Sequence, residues 1–319
     1  MLSPDHCVYG PVPSRRLGRS LGVDVVPLKT CTLDCVYCQL GPTTDKTVTR
    51  RRWIEPADVV ARVRDRLDTE PDVISLAGSG EPTLYDGVGE VIAGIKEITD
   101  TPVVVITNGT LLWREDVQRD LAAADIVVPS LDAPDDDLFQ KVNRPHPDLR
   151  FDEIVDGLVA FRDRYEGQLW LEVMLLDGLT GTSECVSRLA TAAARIAPDR
   201  IQLNTAVRPP SESSVRPVAA ARMAELAALF TPMAEVVSRG ALAVDDLTAG
   251  TEDVLELLSR RPCTMDDIAS GLGIHNGEAL KLVTLLIETG AVAASSHQGT
   301  RFFSAVNADH QDDSTKETA

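Results

Sequence analysis

Lysine is scarce in this sequence. Only Lys29, Lys46, Lys96, Lys141, Lys281 and Lys316 carry it, which leaves 31 − 6 = 25 arginines. Positive charge is in deficit as a whole: 49 acidic residues give a net charge of −18. That balance excludes a generally basic nucleic-acid-binding surface, so nucleic acid is not an expected partner. Acid excess with little lysine suits a chain solvated in high salt, where screening suppresses self-repulsion, and a halophilic host is the expectation. Apolar runs are short as well, and none approaches the ~18–20 residues that cross a bilayer. The opening stretch MLSPDHCVYGPVPSRR lacks the apolar segment of a signal peptide. A soluble, cytoplasmic protein with no membrane partner is expected. The cysteines, six in all, are not spread as a disulfide framework would spread them, and there is no second Cys-x2-Cys pair.

Hydrophobic residues nevertheless make up 44% of the 319, enough for one large core or two modest ones. From residue 21 to about 210, short apolar runs alternate with amphipathic segments. The runs are Leu21–Pro27, Val73–Ala77, Val103–Thr107, Ile126–Ser130, Leu169–Leu175 and Arg200–Thr205. Each is continuous, as parallel strands buried on both faces require. Helical patterns lie between them at Pro56–Leu67, Val88–Ile98, Arg114–Ala123, Phe151–Arg164 and Ser183–Ala197. In the fourth, Phe151, Ile154, Val155, Leu158, Val159 and Phe161 fall on or near one stripe. Right-handed βαβ crossovers follow, and the fold class is α/β: a partial (β/α)6 barrel with its chemistry at the carboxyl ends of the strands.

After a Pro- and Ser-rich loop at residues 207–217, a helix is expected from about Val218 to Leu229. Beyond the Thr248–Gly250 turn the texture changes. Glu252–Ser259, Thr264–Leu272 and His275–Thr289 read as helices and Ala291–Ala305 as a hairpin turning near Gln298–Gly299, together a winged helix-turn-helix. The expected divisions are 1–240 for the barrel, 250–308 for the winged helix and 309–319 for a flexible tail.

The central motif is Cys31-Thr-Leu-Asp-Cys35-Val-Tyr-Cys38, just past the first strand. Thiolates at such short steps wrap one face of a compact iron–sulfur cluster. A cubane has four irons, so three cysteines leave one iron for a non-protein ligand, the open position that catalytic metal sites keep. The alternatives are zinc with a distant fourth ligand such as Cys7 or His6, or buried free thiols. Cys185 and Cys263 read as structural, the latter lying between the two domains.

With these cysteines the sequence resembles the radical S-adenosylmethionine (radical SAM) superfamily over roughly Tyr9 to Arg208. Gly78-Ser79-Gly80-Glu81-Pro82 matches the family's Gly-Gly-Glu element, with Ser79 for the first glycine. Asn108-Gly109 and Ser130-Leu131-Asp132 match positions that approach the ribose and methionine moieties, Glu172 lies on the fifth strand, and Tyr37 matches the adenine-packing position. The resemblance implies a 4Fe–4S cluster on Cys31, Cys35 and Cys38, with S-adenosylmethionine held by Tyr37, Gly78, Ser79, Gly80, Glu81, Asn108, Ser130, Asp132 and Glu172. It implies reductive cleavage to a 5′-deoxyadenosyl radical that abstracts hydrogen from a substrate, with electrons from an external flavodoxin- or ferredoxin-type donor. Gly80 and Glu81 would supply a carbonyl and a carboxylate to the methionyl ammonium. Within the superfamily, Gly10–Gly18, Ser130–Pro134 and Asn143-Arg-Pro-His146 resemble the branch of the tRNA 4-demethylwyosine synthases. The chain departs from that branch in having only Cys7 upstream where three further cysteines stand, and in its acidity, so the likeness bears on fold and cofactor and not on reaction.

Charge is uneven. Arg15, Arg16, Arg19, Lys29, Lys46, Arg50, Arg51 and Arg52, set against Asp24, Asp34 and Asp45, give 8 − 3 = +5 beside the cysteines. The run reads as a funnel for an anionic substrate, as a clamp on the cofactor's carboxylate, or as partners for the chain's many carboxylates. Residues 251–319 hold five basic and eleven acidic residues, a net of −6, which opposes DNA binding by the winged helix and favours substrate presentation or protein docking. An iron–sulfur redox-sensing regulator acting through that domain is the alternative function, and a cluster-bearing scaffold a third.

Overall fold

The computed structural model describes residue 4 and residues 7–14, 16–237 and 250–306. His6, Arg15 and the 309–319 tail named above lie outside them, as do the last two residues of the expected second domain. The chain divides into two compact units, residues 1–239 and 240–319.

Among the described residues of the first unit, eight strands form one sheet in chain order: β1 (Val8–Ser14), β2 (Gly18–Val23), β3 (Val73–Leu76), β4 (Val103–Thr107), β5 (Ile126–Pro129), β6 (Gln168–Leu175), β7 (Arg200–Thr205) and β8 (Glu235–Val236). β1 pairs antiparallel with β2, and every later neighbour is parallel. The crossovers are α1 (Pro56–Arg64), α2 (Val88–Ile98), α3 (Glu115–Leu121), the pair α4 (Asp136–Val142) and α5 (Phe151–Arg164), α6 (Ser183–Ile196) and α7 (Ala220–Ala227).

Both faces of the strands are covered, which is why the runs read as continuous apolar stretches. On β6, Leu169, Leu171, Val173 and Leu175 pack outward with the helices in the main core, whereas Trp170 faces inward with Leu17, Val73, Val104 and Val128. Arg16, just before β2, forms an ion pair with Glu172 on β6 and donates to Gln202 on β7 at 3.3 Å. A contact from β2 to strands four and five places along the sheet requires the sheet to curl. The six parallel strands β2–β7 are the staves of a partial (β/α)6 barrel.

Three differences from the sequence reading have physical causes. β1 was not expected, because Val8-Tyr-Gly-Pro-Val-Pro-Ser14 carries two prolines and a glycine. Proline removes a ladder donor and is tolerated on an edge, where β1 lies, with an irregularity between Tyr9 and Val12. The first barrel strand runs from Gly18 to Val23 rather than from Leu21 to Pro27, because the chain leaves the ladder at Asp24, whose carboxylate is bound by Ser79. Finally, α4 was missed. Its polar start, Asp135 to Asp137, reads as loop, but Asp135 caps the helix by accepting from Leu138 N at 2.8 Å.

The second unit comprises α8 (Thr251–Arg260), α9 (Met265–Leu272), α10 (Asn276–Glu288) and an antiparallel hairpin of β9 (Val292–His297) and β10 (Thr300–Ala305). Thr264 and Asp267 exchange hydrogen bonds in a capping box at the start of α9. The hairpin turns on Gln298 and Gly299, both at positive φ, as a two-residue turn matched to strand twist demands. Cys263 is not between domains. It is buried inside this unit and exchanges backbone hydrogen bonds of 3.0 and 2.8 Å with Phe303. No helix among the described residues is long and apolar enough to cross a membrane.

Candidate functional site

The cysteine loop leaves the carboxyl end of β2 and is gripped at both ends. At its start, Lys29 N donates to Ser79 O (2.7 Å) and Glu81 N to Thr30 O (3.0 Å), so the turn after β3 runs along the loop's backbone. A Cβ on Gly80 would stand 2.0 Å from Thr30 O, and one on Gly78 would stand 2.2 Å from the Asp24 carboxylate, so both approaches require glycine. At its far side the loop docks on the segment after α4. Asp34 N donates to Asn143 O, Val36 N to Val142 O and His146 N to Thr32 O, each at 2.9 Å. Lys46 adds its ammonium on Arg144 O at 3.1 Å.

Glu81 is buried and already occupied. Its Oε1 accepts from Thr83 N (3.0 Å), Thr83 Oγ1 (2.5 Å) and Thr107 Oγ1 (2.6 Å), and its Oε2 from Asn108 N (2.7 Å). Burial pushes its carboxyl above the ordinary value, and hydrogen bonds from Thr107, Thr83 and Asn108 oppose that shift. The carboxylate expected to meet a ligand ammonium also joins the ends of β3 and β4.

Asp132 plays the same part for β5 and β6. Oδ1 accepts from Met174 N (2.9 Å), and Oδ2 from Asn143 Nδ2 (2.9 Å) and the Tyr37 hydroxyl. Asn108, after β4, donates from Nδ2 to Thr32 Oγ1 (2.8 Å) and Cys31 Sγ (3.5 Å), while Thr110 holds its Oδ1. Ser130 sits beside Glu172 in an isolated parallel bridge. Asn108, Ser130, Asp132 and Asn143 share the wall of a narrow pocket with Leu33. The expected residues thus fall on the ends of consecutive strands around the cysteines. Glu172 lies beside Ser130 through its backbone, and its side chain pairs with Arg16 on the barrel's inner face.

The three thiols are within electrostatic reach of one another. Burial pushes Cys31 up to about 12, with Glu81 and Cys38 adding to the shift. Burial, then Asp132 and Cys31, raises Cys35 well above its ordinary value, and burial raises Cys38. Thiolates here need a positive partner, and soft sulfur donors with no oxygen ligand suit an iron–sulfur cluster. Among the described residues no three His, Cys, Asp or Glu side chains close on a single-ion site. Thiolates that each meet a different iron of one cubane need no such convergence, so the residues present fit that group.

The basic run resolves largely into ion pairs. Arg50 holds Asp116 (2.9 Å) and Asp120 while donating to Thr83 O and Tyr85 O, Arg52 holds Asp86 (2.9 Å) and Glu90, and Arg51 reaches Asp45 at 3.5 Å. The funnel expectation gives way to the pairing one for these arginines. His146 accepts from Asp148 N at 3.2 Å and serves its own turn. Cys185, in the first turn of α6, is packed in the main core, and its thiol is raised to about 11 by burial.

Residues 25–184 match the family model of the radical SAM superfamily. The chain belongs to the radical SAM superfamily. It is 32% identical to a UPF0026 protein of Methanocaldococcus jannaschii over 92% of this chain and 94% of that one. It is 36% identical to a protein of Brachyspira hyodysenteriae named GTPase Obg over 89% of this chain, and spans 43% of that relative's length. Among solved structures, a radical SAM methyltransferase from Sphaerobacter thermophilus matches at a TM-score of 0.52 and 19% identity, over 69% of this chain and 67% of that one, a likeness of fold alone. Radical SAM membership makes the chain an S-adenosylmethionine-dependent enzyme by family, with the 4Fe–4S cluster the family implies. The regulator alternative finds no support in these likenesses.

Asn143 was missed as a site residue. Its segment, Asn143-Arg-Pro-His146, stood out in the sequence, but nothing there tells that it clamps the cysteine loop 108 residues upstream.

Proposed function

We propose that the first unit, within residues 1–240, cleaves S-adenosylmethionine reductively on a 4Fe–4S cluster held by Cys31, Cys35 and Cys38, and abstracts hydrogen from a substrate inside the barrel. When bound, the cluster would supply one electron to S-adenosylmethionine, whose carbon–sulfur cleavage would give methionine and a 5′-deoxyadenosyl radical. The chain's own work is positional. Glu81 fixes the Gly78–Gly80 turn so that its backbone faces the ligand, and Asn108 and Ser130 line the next two strand ends. Asp132 locks the Tyr37 ring, which packs the adenine side. A buried, pre-organised polar surround excludes water and stray hydrogen donors. A substrate entering from the inner face of β6 and β7 meets Arg16, Glu172 and Gln202, a charged layer suited to a polar or anionic group. Electrons come from a flavodoxin- or ferredoxin-type donor. The second unit, over 250–308, is a winged helix that docks a protein or presents substrate, in keeping with its net charge of 5 − 11 = −6 over residues 251–319.

One observation carries this reading: the turns after β3, β4 and β5, reached through Glu81, Asn108 and Asp132, all close on a single three-cysteine loop. Protein reconstituted anaerobically with iron and sulfide, then reduced with dithionite, is expected to convert S-adenosylmethionine to 5′-deoxyadenosine and methionine. Cys35→Ala is expected to lose both iron and product. A fully loaded cluster that yields no 5′-deoxyadenosine, or product that survives Cys35→Ala, overturns the proposal.

A further inference from the structure

Two of the three cysteine sulfurs face a side-chain amide. Asn143 Nδ2 lies 3.4 Å from Cys35 Sγ, and Asn108 Nδ2 lies 3.5 Å from Cys31 Sγ. Asn143 is 2% exposed. Its amide group also donates to Asp132 Oδ2 at 2.9 Å, and Asp132 is in turn fixed by Met174 N and the Tyr37 hydroxyl. That carboxylate settles the amide's orientation, since the reverse would set the Asn143 carbonyl against it. Asn143 Oδ1, meanwhile, is buried with no donor among the described residues. A buried polar atom left in this way is a cost the fold accepts while keeping the amide hydrogens on Asp132 and Cys35.

Given the cluster assigned above, on which this rests, we infer that Asn143 and, less strongly, Asn108 set the cluster's reduction potential by donating amide hydrogens to the sulfurs of Cys35 and Cys31. Hydrogen bonds to ligand sulfur stabilise the more negative, reduced cluster and so raise its potential. Their effect is larger where water is excluded and the donor cannot turn away. Asn143 meets both conditions. Asn108 is partly exposed, so water weakens its effect. Both asparagines are positioning residues that act through the cysteines.

The test is an EPR-monitored redox titration of the reconstituted holoprotein, comparing the parent with Asn143→Leu, which keeps the branched shape and removes the donor. Asn143→Leu is expected to lower the reduced-to-oxidised ratio at a fixed solution potential about tenfold, equivalent to ~59 mV for one electron. Asn108→Leu should shift it in the same direction by less. A second measurement needs no variant: parent protein with 15N-labelled asparagine, reduced and examined by pulsed EPR, should show 15N coupling to the cluster. Unchanged potentials in a loaded Asn143→Leu protein, or no 15N coupling in the loaded parent, overturn the inference while leaving the cluster assignment intact. A parent that takes up no 4Fe–4S cluster overturns both.

Discussion

The carboxyl-end rim of the barrel and the second unit are built from opposite materials. The rim buries Thr32, Glu81, Thr83, Thr107, Thr110, Asp132 and Asn143, and it satisfies most of their polar atoms with one another. Among the described residues, the second unit has no buried polar or charged residue; its interior is Val254, Leu257, Leu258, Ile268, Val283, Phe302, Phe303 and their apolar neighbours. Burying polar groups is costly unless each is paired, so a fold that concentrates them does so where they position something. The contrast sets a rim held by polar pairing against a unit held by apolar packing, without reference to any motif.

Glu81→Ala should break the comparison most severely. It leaves the buried donors of Thr83, Thr107 and Asn108 without their acceptor, and at about 1–3 kcal/mol per unpaired group the loss should reach roughly 3–5 kcal/mol in urea unfolding. Glu81→Gln, which keeps an acceptor oxygen, should lose much less. Next comes a mirrored pair. Thr107→Val removes a hydroxyl from the rim, and Val283→Thr adds one to the second unit; each should cost about 1–3 kcal/mol, although one makes its region more apolar and the other less. If Thr107→Val proved neutral, the rim would not depend on its polar network.

Acid sensitivity gives a smaller effect. Hydrogen bonds from Arg114 and from Arg50 hold the Asp116 carboxyl well below the usual carboxylate range. A group with a depressed folded pKa contributes stability fully above its unfolded value of ~3.9, and that contribution is lost as pH falls toward the folded value. Asp116→Asn should therefore flatten the fall in melting temperature below about pH 4 and lower the plateau slightly near neutrality. The smallest expected change is a gain. Gly277, exposed at the start of α10 with open space around its missing Cβ, should stabilise the second unit by about 0.5–1 kcal/mol when replaced by alanine.

Much of the barrel was legible because its code is local. β4 and β7, α2 and α5 run over the residues that the apolar pattern predicts, since burial on two faces or on one stripe writes itself into consecutive residues. Edge strand β1 and helix α4 were not legible, because what defines them is a neighbour for the one and a cap for the other. At the site, the cysteine loop and its facing turns were readable as motifs. The work of Glu81 and Asp132 was not, since their donors lie up to 27 and 95 residues away. Both look like ligand groups in sequence, and in the fold they also join neighbouring strand ends. Asn143 shows the converse, a residue within a noticed motif whose sulfur contact exists only once α4 has formed.

The central claim, that three cysteines leave one iron free for S-adenosylmethionine, is tested most directly by the EPR spectrum of the reduced, reconstituted protein before and after addition of that molecule. The account predicts a 4Fe–4S signal whose g values move when S-adenosylmethionine is added. A 4Fe–4S signal that is indifferent to it would contradict the account.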